Sequence, residues 1–275
     1  MRTIIVPTDF SATAKNAINY AVALAKEVKS SITLLHVYQV PVTITTDTPI
    51  VVVAEEDLRR SSEGRLYTLK GEIEESTGGL VKVNSELRLG DTVSELEELS
   101  RSINPFAVVM GSNGHSGLEQ ALFGSTTLKS IRNLTAPVIA VPPNATYQGI
   151  KKIGFACDFK QVVETTPVQP IKDFIKNFKA EFHVLNVDVK SGNIKSETTE
   201  ESRLLQILFA ELNPIFDFIE NADVERGIDE FAVKNSLDLL IAIPKKHRLL
   251  DGLFHKSATR QLVFHSHVPV LCVHE

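Results

Sequence analysis

Apolar residues in this chain fall into short, near-continuous runs separated by longer stretches with helical spacing. Thr3–Val6 is a β-branched run closed by Pro7-Thr8-Asp9. Ser11 stands where its hydroxyl can cap a helix, and Ala14, Ala17, Ile18, Ala21, Leu24, Ala25 and Val28 then recur on one face. Ile32–Val37 reads as a second buried strand. Residues 39–54, rich in Pro and Thr and ending in a Val run, read as an irregular excursion with room for a short strand. Glu55 to Ser76 is charged, with Leu58, Leu66, Leu69 and Ile73 interspersed, which predicts a long solvated helix stopped by Thr77-Gly78-Gly79. Val81–Leu89 alternates as an edge strand does. Asp91 caps a further helix whose face is Val93, Leu96, Leu99 and Ile103. Phe106–Met110 is a fully apolar strand, followed by a glycine-rich loop, a helix from Ser125 and a last strand at Pro137–Val141.

Strands that are apolar throughout, alternating with helices, predict an α/β fold with a parallel sheet covered on both faces and right-handed crossovers. Pro142-Pro143-Asn144 reads as a linker, after which the pattern starts again. Ile153–Phe159 echoes Ile4–Phe10, with Asp158 in the place of Asp9; Phe182–Val187 echoes Ile32–Val37, and Leu239–Ile243 echoes Ala107–Gly111. His267–Val273 echoes Thr135–Val141, which aligns Ser125 with Ser257 and Thr127 with Thr259. A whole domain is therefore repeated, with domains expected at 1–143 and 150–275. The second copy lacks the 39–54 excursion. Pro167 and Pro170 are expected to shorten its first helix, and Lys190–Thr199 to form a polar loop.

Composition narrows the function classes. The 275 residues are 43% hydrophobic and 23% charged, enough for two small cores. The formal net charge of −5, without a Lys/Arg block, argues against a nucleic-acid or membrane-surface partner. Cys157 and Cys272 cannot make a disulfide framework, which fits a reducing compartment. A carboxylate by Asp9 is unlike a signal peptide, and no apolar run approaches transmembrane length. A soluble cytoplasmic protein is the expectation.

Candidate chemistry centres on Met110-Gly111-Ser112-Asn113-Gly114 through Gly124-Ser125. Glycines let backbone N–H groups approach an anion, and a helix starting at Ser125 adds free donors and the positive end of its dipole. In a parallel sheet the ligand crevice lies beyond the carboxyl ends of the strands, so this loop and Asp9 face one crevice. A carboxylate and a phosphate cradle together have the shape of a nucleotide site. There is no G-x-x-x-x-G-K-[ST] and no G-x-G-x-x-G after the first strand, which excludes a P-loop and a dinucleotide fingerprint.

The spacing G-x2-G-x9-G-[ST], met here by Gly111, Gly114, Gly124 and Ser125, resembles the nucleotide-binding members of the universal stress protein family. The Pro7-Thr8-Asp9-Phe10-Ser11 opening and Leu34-Leu35-His36-Val37 are similar to that family too. The resemblance implies two tandem doubly wound domains, each a five-stranded parallel sheet of order 3-2-1-4-5, with ATP, usually with Mg²⁺, on the first. It marks Pro7, Thr8, Asp9, Val37, Met110, Gly111, Asn113, Gly114, Gly124, Ser125 and Thr126 as the binding set. Asp9 and the backbone at Val37 would meet the adenosine, Gly111 the ribose, and Gly114, Gly124, Ser125 and Thr126 the phosphates. In the second copy Ile243, Lys246 and Lys256 stand at the three glycine positions, and Asp158 and Ser257 remain. That copy is expected to keep the fold without the nucleotide. The resemblance also implies pairing of the last strands, hence an intramolecular pseudo-dimer, with a homodimer of chains left open.

The expected function is a nucleotide-binding stress-response and signalling module with an unknown protein partner. A slow ATPase or autophosphorylating enzyme, and a sensor of another small anion through Lys246 and Lys256, are the rival classes. No Walker lysine or base for water accompanies the glycine loop, so no catalytic residue is expected. Several residues carry two readings. Asp9 can cap the first helix as well as meet a ligand, and His115 can touch a phosphate or be solvated. The cationic run Lys245–Arg248 reads as an exposed loop, and His265 and His267 lack a ligand cluster for a metal. Cys157, beside Asp158, reads as a buried and inert thiol.

Overall fold

A computed structural model describes residues 2–40, 51–112, 125–188, 196–244 and 258–274. The chain divides into two compact units, Met1–Ala136 and Pro137–Glu275. The first contains β1 (Thr3–Pro7), α1 (Ala12–Val28), β2 (Ser31–Tyr38), α2 (Val51–Ser76), β3 (Val83–Leu89), α3 (Thr92–Ile103), β4 (Ala107–Gly111) and α4 (Ser125–Asn133). Its strands lie in the order β3-β2-β1-β4, all parallel, with Val6 opposite Leu34 and Ile4 opposite Ala107. The order runs outward from β1 and then returns to its other side. Right-handed crossovers therefore put α1 and α2 on one face and α3 and α4 on the other. Ile4, Ile5, Val6, Leu34, Leu35 and Val108 are wholly buried, as strands covered on both faces require. Helix α1 meets the sheet through Ala17, Ala21 and Ala25, whose small side chains permit close approach.

The second unit holds β5 (Val138–Val141), β6 (Lys152–Ala156), α5 (Val162–Thr165), α6 (Val168–Ile175), β7 (Glu181–Asp188), α7 (Ser196–Leu208), β8 (Ile215–Glu220), α8 (Val224–Lys234), β9 (Leu239–Ala242), α9 (Ala258–His265) and β10 (Val270–Cys272). Its parallel ladder runs β8-β7-β6-β9-β10, which is 3-2-1-4-5 counted within the repeat. β10 also pairs antiparallel with β5, Leu271 opposite Ile139. Phe155, Phe182 and Phe209 form the aromatic centre of this unit, with ring centroids 5.2–6.4 Å apart.

Caps fall where their side chains allow. Ser11 Oγ accepts from Ala14 N at 3.0 Å, and Asp91 Oδ2 accepts from the N–H groups of Val93 and Ser94. Helix α2 ends at Gly78 and Gly79, both left-handed at φ 59° and 74°, a conformation that favours glycine. Elsewhere the structure departs from the sequence expectations. Val51–Val53 open α2 instead of forming a strand, and residues 41–50 of the excursion lie outside the described ones. Within α2, Leu66 and Ile73 are buried but Leu58 is exposed. The first helix of the second unit is shortened, as expected, and is also split in two, into 4 and 8 residues against the 17 of α1. Thr166 is held extended before Pro167, and Pro170 sits in the first turn of α6, where no N–H is needed. Helix α7 begins at Ser196, inside the expected polar loop. Cys157 is half-buried; the fully buried thiol is Cys272, whose pKa burial pushes up to about 12. No helix among the described residues is long and apolar enough to cross a membrane.

Helices α2 and α3 each offer a test of these local forces. Gly64 and Gly71 lie within α2, and a Cβ at either meets nothing within 4 Å. Gly64→Ala and Gly71→Ala should each raise stability by about 0.5–1 kcal/mol in urea titration, since alanine is the better helix former. At Asp91, hydrogen bonds from Ser94 hold the carboxyl below its ordinary value of 3.8. Its stabilisation is therefore complete above that value and is lost as the pH falls through the lowered one. Asp91→Ala should cost about 1 kcal/mol at neutral pH. Asp91→Asn should keep most of the cap but abolish this residue's share of the acid dependence, read from urea midpoints between neutral and acid pH.

Candidate functional site

The loop that leaves β1 is fixed bond by bond. Thr8 N–H donates to Leu35 O at 2.8 Å, extending the ladder to β2 by one residue. The Thr8 hydroxyl accepts from Phe10 N at 3.0 Å, and His36 Nδ1 lies 2.7 Å from Thr8 O. Asp9 Oδ1 accepts from Ser11 N at 2.9 Å, and Ser11 then caps α1. Asp9 thus shapes the turn before the helix while remaining exposed. Between them Phe10 is left-handed at φ 64°. Its ring packs on His36 at a centroid distance of 4.6 Å, and the Arg65 guanidinium sits 3.9 Å from the ring centre. Phe10 and the facing side of α2, with Arg60, Arg65, Thr68 and Leu69, line a groove of about 530 Å³.

The end of β4 meets this loop at Gly111. A Cβ there would collide with Thr13 Cγ2 and stand 3.2 Å from the Thr13 carbonyl oxygen, so glycine is needed for α1 to start this close to β4. Thr127 Oγ1 donates to Gly111 O at 2.8 Å and ties the first turns of α4 to the same strand end. Pro7, Thr8, Asp9, Val37, Met110, Gly111 and Thr126 are therefore gathered at the carboxyl ends of β1, β2 and β4 and the start of α4, which Ser125 opens. Met110 is buried behind this edge. Asn113, Gly114, Gly124 and His115 lie outside the described residues. Three contributors to this edge have no such role in the sequence reading: Thr13, which it does not name, and Thr127 and His36, which it names only for an alignment and a family-like run. Thr127 has a signal, its alignment with Thr259, and Thr259 Oγ1 does contact Ile243 O at 3.3 Å.

The second unit keeps the frame of this edge and fills it differently. Cys157 N–H donates to Leu185 O at 2.9 Å, Asp158 Oδ1 accepts from Lys160 N, and Phe159 is again left-handed, at φ 50°. Here, however, the ring is buried, packed on Phe216 and Phe218 of β8 at 6.3 and 5.9 Å. Glu201 of α7 places Oε2 3.0 Å from Val162 N at the start of α5. Lys246, Lys256 and Ser257 lie outside the described residues. His267 is held by Asp229 through both its backbone N–H and its ring. No group of three or more His, Cys, Asp or Glu among the described residues could hold a metal ion.

Comparison with known proteins bears on residues 1–142, which match the model of the universal stress protein family. A universal stress protein of Methanocaldococcus jannaschii is 28% identical over 146 residues, 50% of this chain and 80% of that protein. YxiE, a universal stress protein of Bacillus subtilis, is 30% identical over 144 residues, 50% of this chain and 97% of its own. Among solved structures, a universal stress protein of Archaeoglobus fulgidus superposes with a TM-score of 0.77. It is 18% identical and covers 99% of this chain and 98% of its own.

The contact at Gly111 can be tested by coupling. Gly111→Ala alone should destabilise the chain by about 1–3 kcal/mol. Thr13→Ser removes the methyl group that the new Cβ strikes, so the double variant should recover part of that loss in a double-mutant cycle. Strict additivity would place the strain elsewhere.

Proposed function

The chain belongs to the universal stress protein family, and we propose that its first unit binds ATP with Mg²⁺ and acts as a nucleotide-dependent binding and signalling module. The supporting observation is the junction at Gly111. It brings the carboxyl end of β4, the loop Thr8–Ser11 and the start of α4 to one edge of the sheet, and the family's glycine spacing begins there. Asp9 offers a carboxylate acceptor to a ribose or base, with Oδ1 already bonded to Ser11 N. Pro7, Thr8 and Val37 flank the adenosine in this reading. Gly111 lies toward the ribose with Met110 behind it, and Asn113, Gly114, Gly124, Ser125 and Thr126 supply donors to the phosphates. Bound nucleotide contributes negative charge and an ordered polyphosphate. The chain's part is to replace lost water with backbone N–H groups and the helix terminus.

The second unit is read as a partner that has kept the frame without the nucleotide. Phe159 closes onto β8, and Glu201 gives the start of α5 a carboxylate of the chain's own. The last strands of the two repeats, β5 and β10, pair within the second unit. The protein partner of such a module is a matter for capture experiments with and without nucleotide.

Titration calorimetry of the full chain with ATP and Mg²⁺ should give a stoichiometry near one. Gly124→Lys, which copies the residue of the second repeat, should remove that binding and leave the circular dichroism unchanged. Multiple-turnover hydrolysis should stay below about 1 s⁻¹, the low end of enzyme rates. A stoichiometry of two, or full binding by the variant, would place the site elsewhere; faster turnover would make the protein an enzyme.

A further inference from the structure

His36 lies in the family-like run Leu34–Val37, and the structure gives its side chain a specific bond. Thr8 O can only accept, so His36 Nδ1 carries the proton and donates across 2.7 Å. Thr8 is thereby held at both ends of its peptide units. Its N–H is bound to Leu35 O and its C=O to the side chain of the next residue of β2. The second unit repeats this with a different residue. Asn186 occupies the register position of His36, one beyond Leu185, which stands opposite Ala156. Its Nδ2 donates to Cys157 O at 2.9 Å, and Cys157 N–H donates to Leu185 O. Histidine and asparagine share little in size or shape. Their common property here is a nitrogen donor that reaches one carbonyl.

That carbonyl stands at the entrance to a strained turn. Two residues on, Phe10 and Phe159 both adopt positive φ, which bulky side chains rarely do. Each is preceded by an Asp whose carboxylate accepts from the residue after the Phe. The turn is strained at one residue and must be held at its neighbours. The rings themselves go different ways, Phe10 onto His36 and Arg65, Phe159 into β8. A common destination for the ring is therefore not the feature that the two units preserve. They preserve the donor to the carbonyl before the turn.

We propose that His36 is a positioning residue of the first unit's crevice, whose side-chain donor locks Thr8 and so sets the backbone of Asp9 and Phe10 for a ligand. Asparagine serves as its equivalent. The proposal rests on the nucleotide reading for the identity of the ligand, but the lock itself is a property of the loop.

Three full-length variants separate the possibilities. His36→Asn keeps a donor, His36→Phe keeps a ring against Phe10 without a donor, and His36→Ala keeps neither. The amides of Phe10 and Ser11 report the turn, since they bond to Thr8 Oγ1 and Asp9 Oδ1. Hydrogen exchange at these two amides should match wild type in His36→Asn and run about tenfold faster in His36→Phe and His36→Ala, as loss of a bond to a buried carbonyl implies. Affinity for ATP with Mg²⁺ should fall in the same order, about tenfold weaker without a donor. Wild-type exchange and affinity in His36→Phe would overturn the proposal and leave the ring contact as the role of His36. Asparagine behaving like alanine would overturn it too. A wild-type chain that binds no ATP would overturn the nucleotide reading and with it the identity of the ligand. The exchange rates would still show whether the lock exists.

Discussion

β1 is the strand to which everything in the first unit is attached. Its faces are covered, with no exposed surface at Ile4, Ile5 or Val6, and both its edges are paired, to β2 and to β4. A strand so enclosed has no spare backbone donors or acceptors until it leaves the sheet. It leaves at Thr8, whose N–H makes one last bond to Leu35 O. The chain must there reverse within three residues to begin α1, because Thr13 is already packed against Gly111 of the next strand. The left-handed Phe10, the Asp9 turn and the Ser11 cap are the local means of meeting that demand. The functional edge is thus the place where a fully satisfied strand runs out.

Much of this could be read from the sequence, and the exceptions have physical causes. Strands and helices announced themselves by period, and Ser11 and Asp91 by the hydroxyl and carboxylate that a helix start needs. The run Val51–Val53 was misleading because β-branched residues favour strands only weakly, and here they lie in a 26-residue helix. Leu58 fits a helical stripe but is exposed, because Leu66 and Ile73 carry the buried part of α2. At the site, Asp9 and the glycine of β4 were legible as local chemistry. The reason for Gly111 was not, since it depends on Thr13, about two thirds of the first repeat away in sequence. The same holds for His36, whose partner is set by the register between β1 and β2.

Duplication supplies an internal control that a single domain lacks. Thr127 and Thr259 each direct a hydroxyl to the carbonyl at the end of the fourth strand of their repeat. His36 and Asn186 do the same for the loop after the first strand. These bonds serve the backbone, whatever the crevice holds, and both repeats retain them. The side chains that fill the crevice have diverged. Phe10 is shared between a histidine and an arginine beside an open groove, whereas Phe159 is sealed by two phenylalanines.

The enclosure of β1 also sets the order in which the molecule can be made. Ile4 meets β4 only at Ala107, so one apolar edge of the strand stays open until most of the repeat has been synthesised. The matching pair in the second unit, Ile153 with Leu239, closes a somewhat shorter loop. The difference in closure entropy is only about 0.2 kcal/mol, so losing the excursion brought little advantage in speed. The larger hazard is kinetic. Two similar first strands, each waiting for a distant partner, compete for similar fourth strands as the chain emerges, which is how tandem repeats come to misassemble. The two strands differ at their centres, Val6 against Phe155 and Ile5 against Gly154. The second unit leaves no room at Gly154 for a side chain such as that of Ile5, since a Cβ there would stand 2.7 Å from Leu237 and 2.9 Å from Leu185.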